Sequence, residues 1–172
     1  MLQGGEIMSR SAAVKQIISP DEKESICREM LEALKDGSML PGELDKKSVE
    51  EEYAVNCRML PVWASYDDEE GRLQGFLALR ETSPYAAEIY IMGVKKEYQR
   101  HKVGKALFTA MLNYARRQGY EYLQVKTVKQ GVSEAMDAAN VFYQSLGFRE
   151  LEVLPLWGDS DPCQIYIRNV NF

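Results

Sequence analysis

The fold of this chain is decided by one basic stretch of sequence, Lys95-Lys96-Glu97-Tyr98-Gln99-Arg100-His101-Lys102-Val103-Gly104-Lys105. It contains five lysine or arginine residues and one acid, although the whole chain has a formal net charge of -5. The apolar residues that follow recur at helical spacing as far as Gln118, so the stretch leads into a helix. The N–H groups of a first helical turn point out of the helix, and the helix dipole adds partial positive charge there. The stretch therefore predicts an anion site, above all for phosphate, and Gly104 lets the backbone approach the anion closely.

Two other phosphate-binding motifs are excluded. A P-loop needs glycine at the position of Gln99 and serine or threonine at Ala106, and GxGxxG is absent from the chain. Nucleotide hydrolysis and Rossmann-type cofactor binding are therefore not expected. The alternative interpretation of residues 99–104 is an ordinary basic helix start on the protein surface.

Two helices are predicted before this stretch. Ser19-Pro20-Asp21-Glu22 combines an N-cap serine, a proline at N1 and a glutamate at N3. Gly37 can supply the left-handed C-cap of the helix that starts there. Ser48-Val49-Glu50-Glu51 repeats the capping box and predicts a second helix.

Strands and two later helices complete the predicted order. The strands cover residues 12–18, 62–66, 73–79, 87–94, 123–128, 148–153 and 164–170, and the later helices cover residues 103–118 and 133–146. The run Ile89-Tyr90-Ile91-Met92 is typical of a central strand that is covered on both faces. Because a strand, a helix and a strand follow directly around residues 103–118, a right-handed crossover is predicted there. The order predicts a mixed sheet flanked by helices.

Length and composition indicate one domain and exclude several functions. A chain of 172 residues with 45% apolar residues suits a single core, predicted over residues 11–172 behind a disordered leader at residues 1–10. A pI near 5.1 argues against nucleic acid as a partner. Three cysteines without CxxC spacing and a single histidine, His101, exclude a zinc site and a histidine triad, so no metal is expected. Without a membrane-length apolar run or a signal-peptide order, a cytoplasmic protein with no membrane partner is expected.

The basic stretch resembles the cofactor motif of the GNAT superfamily of acetyltransferases, which has Gln or Arg, two residues, Gly, one residue, and Gly or Ala. Gln99, Lys102 and Gly104 occupy those positions, with Lys102 in place of the first glycine. A left-handed backbone at Lys102 would be strained, while its charge would favour a pyrophosphate. A second stretch, Ala139-Asn140-Val141-Phe142-Tyr143-Gln144-Ser145-Leu146-Gly147-Phe148, resembles the later helix and turn of the same superfamily. The resemblance covers residues 73–153.

The resemblance implies a GNAT-like α/β (α+β) fold, in which about four helices flank a mixed, mostly antiparallel sheet of about seven strands. It also implies acetyl-CoA as cosubstrate. The predicted pyrophosphate loop consists of Gln99, Arg100, His101, Lys102, Val103, Gly104 and Lys105. Backbone groups of Met92 and Val94 would bind the pantetheine arm.

The second stretch supplies two further candidates. Asn140 and Tyr143 lie three residues apart and therefore on one helix face. The resemblance implies that Asn140 contacts the pantetheine or phosphate region, and that Tyr143 meets the cofactor and protonates the departing thiolate. The alternatives are a solvated helix residue for Asn140 and a core aromatic beside Phe142 for Tyr143.

A base is also needed, because an alkylammonium with a pKa of about 10 is almost wholly charged at neutral pH. Glu88 stands where the histone acetyltransferases of the superfamily have their base glutamate. Partly buried carboxylates have raised pKa values, which suits a general base. The alternative is a solvent-facing strand residue. His101 is expected to be a surface residue or a neighbour of the phosphate rather than the base.

The resemblance thus implies an acetyl-CoA-dependent N-acetyltransferase in which a primary amine attacks directly within a ternary complex. A non-catalytic module that senses acyl-CoA is the alternative. The acceptor stays open between a polyamine, an aminoglycoside, a peptide N-terminus and a protein lysine. Its side of the site is expected near the two N-terminal helices and the loops around Trp63 and Trp157. The oligomeric state stays open between a monomer and a homodimer.

Overall fold

The structure, a computed structural model, describes residues 13–35, 39–40 and 46–172. The predicted leader at residues 1–10 and the predicted cap at Gly37 lie outside these residues. The strands are β1 (Ala13–Ile17), β2 (Val62–Tyr66), β3 (Leu73–Ser83), β4 (Ala86–Val94), β5 (Tyr122–Val128), β6 (Arg149–Leu154) and β7 (Cys163–Asn169). The helices are α1 (Pro20–Ala33), α2 (Lys46–Cys57), α3 (Val103–Gln118) and α4 (Glu134–Ser145), and a short 3-10 turn at Lys96–Tyr98 precedes α3.

The described strands form one seven-stranded sheet with the order β1-β2-β3-β4-β5-β7-β6. Strands β4 and β5 run parallel and are connected through α3, whereas the other neighbouring pairs are antiparallel. The predicted element order and the mostly antiparallel mixed sheet are therefore confirmed. Strand β4 is the fourth of the seven strands, as its apolar run predicts.

Local sequence signals set most helix ends. At the start of α1 the Ser19 hydroxyl accepts a hydrogen bond of 3.3 Å from the Glu22 N–H, as the capping box requires. Helix α3 has its predicted bounds and ends at Gly119, whose φ is 81°. The predicted start of α2 at Ser48 is wrong, because the helix already begins at Lys46. Lysine is a good helix former, so the two lysines before Ser48 extend the first turn.

Two hydrophobic cores cover the two faces of the sheet. Alternate residues of β3 belong to different cores, since Ala78 packs beneath α1 and α2, whereas Leu77 and Leu79 pack with α3. The first core includes Met30 of α1, and the second includes Tyr143 of α4. The sheet thus separates an α1/α2 side from an α3/α4 side.

Strands β4 and β5 separate partway along their length. They pair from Ala86↔Tyr122 to Ile89↔Val125 and no further, although β4 continues to Val94. On the other side of β4 the register with β3 shifts at this point, which leaves Tyr90 without a partner. Such a bulge bends a strand. The bend opens a gap in the middle of the sheet, and the edge of β4 that faces this gap makes no ladder with another described strand.

Candidate active site

A pocket of about 370 Å³ lies at the gap between β4 and β5. Helix α2 contributes Val49, Glu52 and Tyr53, helix α4 contributes Met136, Ala139 and Tyr143, and the β6–β7 connection contributes Leu156 and Trp157. The strands contribute a further set that includes Arg80, Glu88, Met92, Lys126 and Thr127. Because α2 and α4 cover opposite faces of the sheet and both line the pocket, the pocket extends through the sheet from one face to the other. Trp157 is where the sequence predicts it, but Trp63 packs in the core against Tyr114 and does not line the pocket.

The predicted pyrophosphate loop lies beyond the end of β4 and outside the pocket lining. Gln99 donates a hydrogen bond of 3.0 Å to the Val94 carbonyl, which ties the loop to β4. Arg100 and Lys102 both have left-handed backbones, with φ of 64° and 65°. The strained conformation expected at Lys102 is thus present, and the loop holds a second one at Arg100. A left-handed residue next to a right-handed one, as Lys102 is next to the helical Val103, turns successive backbone N–H groups toward one side, which is the geometry of an anion-binding nest.

The first turn of α3 has free backbone donors. The N–H groups of Val103, Gly104 and Lys105 donate to no acceptor within the described part of the chain. The Val103 side chain is buried in the core, so only its backbone can meet a ligand. Arg100, His101, Lys102 and Lys105 are exposed around these donors. The donors and the basic side chains fit a pyrophosphate.

Gly104 has a structural role in addition to the predicted one. A Cβ atom at this position would lie 3.1 Å from Cζ of Phe142 and 3.5 Å from Cε of Met92. The absence of a side chain therefore lets the start of α3 pack against α4 and β4. Sequence alone does not indicate this contact, because Phe142 is distant in the chain.

Tyr143 is both a core residue and a pocket residue. It is 8% exposed, and its ring packs edge-on against Phe142 and Phe148 with centroid distances of 5.4 and 5.7 Å. Its hydroxyl has no hydrogen-bond partner in the described part of the chain, and the residue lines the pocket from the α4 side. Burial raises the pKa of Tyr143 above its ordinary value of 10. The phenol is therefore protonated at neutral pH and free to donate.

Asn140 is fully buried, so its interpretation as a solvated helix residue is wrong. Its Nδ2 donates to the Val128 carbonyl at 2.9 Å and to the Met136 carbonyl at 3.2 Å. Its Oδ1 accepts a hydrogen bond of 2.7 Å from the Tyr166 hydroxyl. With both polar atoms engaged inside the protein, the Asn140 side chain holds α4 against β5 and β7 and does not line the pocket.

Glu88 is 4% exposed, so its interpretation as a solvent-facing residue is also wrong. Its Oε2 accepts a hydrogen bond of 2.5 Å from Nη2 of Arg80, its cross-strand partner on β3. Its Oε1 lies 3.1 Å from Nζ of Lys126. Lys126 directly follows Val125, the last residue of β5 that pairs with β4. Each carboxylate oxygen thus contacts a cation at the point where the two strands separate.

Three pocket residues have no signal in the sequence. Arg80 and Lys126 reach Glu88 only because of the strand register, which the sequence does not specify. Thr127 lines the pocket, is 1% exposed, and its hydroxyl has no partner in the described part of the chain. A buried hydroxyl without a partner is unfavourable, so it marks a place where a bound ligand can supply one.

Comparison with known proteins agrees with this geometry. Residues 60–150 match the family described as acetyltransferase (GNAT) domain. The chain is 34% identical over 77 residues to the N-alpha-acetyltransferase RimI of Mycobacterium tuberculosis, covering 45% of this chain and 44% of that one. It is 28% identical over 105 residues to the uncharacterized N-acetyltransferase YsnE of Bacillus subtilis, covering 61% of this chain and 66% of that one. The matches therefore span less than two thirds of these relatives.

A solved structure shares the fold. An aminoglycoside 6'-N-acetyltransferase complexed with coenzyme A superposes with a TM-score of 0.68, covering 92% of this chain and 97% of that one at 15% identity. At this identity the likeness concerns the fold alone. None of the described helices is long and apolar enough to cross a membrane.

The fold and the site define an acetyltransferase-type α/β domain with a split central sheet. The chain belongs to the GNAT acetyltransferase domain family. Acetyl-CoA is the cosubstrate of this family.

Proposed function

We propose that the chain is an acetyl-CoA-dependent N-acetyltransferase that acts on the primary amine of a small molecule or a peptide. The observation that carries the proposal is the pocket through the sheet. Tyr143 lines it from the α4 side, and Glu88 lies on the face of the sheet that α2 covers. A donor and an acceptor that enter from opposite faces can meet there without a covalent enzyme intermediate. The M. tuberculosis relative is by name an N-alpha-acetyltransferase, which supports an amine acceptor.

Acetyl-CoA fits the α3/α4 side. Backbone donors of Val103 to Lys105, with the charges of Arg100 and Lys102, would hold its pyrophosphate. The edge of β4 between Met92 and Val94, which pairs with no described strand across the gap, would bind the amide groups of the pantetheine arm. The Asn140 side chain would act indirectly, by fixing α4 and the Tyr143 ring on it.

Three proton transfers accompany the acetyl transfer. Glu88 would take one proton from the acceptor ammonium, and the neutral nitrogen then forms a bond to the acetyl carbon while the carbon–sulfur bond breaks. Tyr143 would donate its proton to the leaving sulfur, and the second proton lost by the nitrogen as the amide forms would return to the Tyr143 oxygen, directly or through water. Because both Glu88 oxygens contact cations, the acceptor ammonium would compete with them, and it would replace Lys126 more readily, since Lys126 makes the longer contact at 3.1 Å.

The state of the cysteines supports direct attack of the amine on acetyl-CoA, without an acetyl-cysteine intermediate. All three are buried free thiols. A hydrogen bond with Cys57 raises the pKa of Cys27, and burial raises the pKa of Cys163 to about 11. Since the thiolate is the nucleophilic form, neither group is suited to carry an acetyl intermediate at neutral pH.

The test is acetyl transfer to a panel of peptide, aminoglycoside, polyamine and amino acid amines, measured as CoA release and as acetylated product by mass spectrometry. Tyr143→Phe should retain affinity for acetyl-CoA and lower kcat about 100-fold. The matched control is Tyr114→Phe, because Tyr114 packs in the same core but does not line the pocket.

Turnover of Tyr143→Phe within about a factor of two of wild type would make Tyr143 a packing residue only. If acetyl-CoA binds but no amine in the panel is acetylated, the result would favour an acyl-CoA sensor over an enzyme.

A further inference from the structure

The cluster of Arg80, Glu88 and Lys126 carries one more positive than negative charge. The guanidinium of Arg80 has five N–H donors, but it makes one hydrogen bond within the described chain, the 2.5 Å contact with Glu88. The ammonium of Lys126 contacts one described acceptor, also Glu88. The Arg80 and Lys126 side chains are 42% and 26% exposed, whereas the side chain of Glu88 taken alone is 5% exposed. Free cationic donors therefore face the pocket, while the balancing carboxylate is covered.

The position of the two cations in the fold makes them part of the reaction space. The pairing between β4 and β5 ends at Ile89 and Val125, so Glu88 is one residue before this end on β4 and Lys126 is one residue after it on β5. Arg80 lies over the Tyr90 ring, with its Cζ 4.6 Å from the ring centroid. The Tyr90 hydroxyl accepts a hydrogen bond of 2.8 Å from Nδ2 of Asn56. This stack fixes the guanidinium at the point where the sheet opens.

We propose that Arg80 and Lys126 form a carboxylate-binding subsite at this point of the pocket, beside the reacting amine. The inference rests on the proposed acetyltransferase function. Both cations already share one carboxylate, so a second carboxylate placed against their free donors completes an arrangement of alternating charges. Charge-assisted hydrogen bonds of this kind are short and strong.

The same carboxylate would resolve the conflict at Glu88. When an acceptor ammonium takes the place of Lys126 at Glu88, the Lys126 ammonium needs another anion. A carboxylate on the substrate supplies it, and the number of ion pairs is maintained. Glu52 on α2 is the other described acid of the pocket lining, and its charge would attract the ammonium group of the acceptor.

The carboxylate can belong to either of two substrates. It can be part of the acceptor, as in a free amino acid or in a peptide that begins with an acidic residue. It can also be the end of the acyl group, as in a succinyl thioester, because the acyl carbon has to reach the same point. The chemistry of the subsite is the same in both cases.

The experiment compares matched pairs that differ by one carboxylate. The acceptor arm uses amino acids against their amides, and tripeptides that begin with glutamate against those that begin with glutamine. The acyl arm uses succinyl-CoA against butyryl-CoA, in turnover and in binding calorimetry. We expect a preference of about tenfold or more for the carboxylate in one arm. Lys126→Met should remove most of this preference, whereas the control Lys129→Met, which changes an exposed lysine outside the pocket, should retain it.

The preference is measured as the ratio of the two rates or affinities within each pair. A loss of activity or stability that affects both substrates equally therefore does not change it. Equal rates and equal affinities in both arms for the wild-type protein would overturn the subsite, as would a preference that survives in Lys126→Met. Absence of turnover with every amine would contradict the proposed function, and binding calorimetry on both arms, with the acceptor pairs as well as with succinyl-CoA and butyryl-CoA, would then decide the subsite.

Discussion

At the scale of single residues, the two candidates for proton transfer are buried in different ways. Tyr143 is surrounded by aromatic rings and its hydroxyl is free, which is the state that an acid needs. Glu88 is held between Arg80 and Lys126, each of which contacts one of its oxygens. In the proposed reaction Tyr143 could therefore donate without rearrangement, whereas Glu88 would exchange one of its cation contacts for the acceptor ammonium.

The pH dependence of turnover tests both residues. Glu88→Gln should lower kcat/KM most at neutral pH, because few acceptor molecules are already neutral there. Raising the pH should partly restore the rate, since solvent then supplies the free amine. Because burial raises the pKa of Tyr143 above 10, its proton is retained at higher pH, and no loss of rate from its ionisation should occur below pH 10.

Two results would contradict these assignments. A constant loss at every pH in Glu88→Gln would indicate that the carboxylate orients the acceptor or supports β4. A descending limb well below pH 10 that disappears in Tyr143→Phe would mean that the tyrosine ionises more easily than its burial implies.

At the scale of elements, α4 is fixed by one buried amide. Asn140→Ala removes hydrogen bonds to Val128, Met136 and Tyr166, and leaves the Tyr166 O–H without its acceptor. The free energy of unfolding should fall by about 2 kcal/mol or more, because each unsatisfied buried group costs roughly 1–3 kcal/mol. Denaturant unfolding measures the change.

Asn113→Ala is the matched control. Asn113 is exposed on α3, so this substitution should change the free energy of unfolding by less than about 0.5 kcal/mol. Similar stability in both variants would show that the Asn140 network does not hold α4.

The sequence specifies elements better than it specifies the contacts between them. The bounds of α3 follow from its apolar spacing and Gly119, and both are local signals. Strand β3 extends to Ser83, beyond the predicted residue 79, because its pairing with β4 continues through Arg80 and Glu88. The cation pair at Glu88, the Tyr166 bond to Asn140 and the contact of Phe142 with Gly104 all depend on register or packing. These are therefore the features that sequence reasoning misses.

At the scale of the whole molecule, the family match covers only part of the residues that line the pocket. Residues 60–150 contain the phosphate loop, β4, β5 and α4. Helix α2, which contributes Glu52 and Tyr53 to the pocket, precedes the match, and Trp157 follows it. The residues proposed to bind the cofactor thus lie in the matched part of the chain, whereas α2 and Trp157, which the sequence predicts on the acceptor side, lie outside it.

The central claim is that acetyl-CoA binds with its pyrophosphate at the start of α3. A ligand at one hundred times its Kd stabilises the native state by about 2.7 kcal/mol, which raises the Tm of a chain of this size by roughly 5–10 °C. Gly104→Glu is an unsuitable probe, because its side chain would meet Phe142. Lys102→Glu changes an exposed residue of the loop, and Arg117→Glu makes the same change of charge at the far end of α3.

The most direct measurement is therefore the thermal shift that acetyl-CoA produces in these proteins at one fixed concentration. Lys102 and Arg117 are separated by about 22 Å along the helix, well beyond the Debye length of about 8 Å at physiological salt. The account predicts the full shift in wild type and in Arg117→Glu, and about half of it in Lys102→Glu if affinity falls about tenfold. An equal shift in all three proteins, or no shift in the wild-type protein, would contradict it.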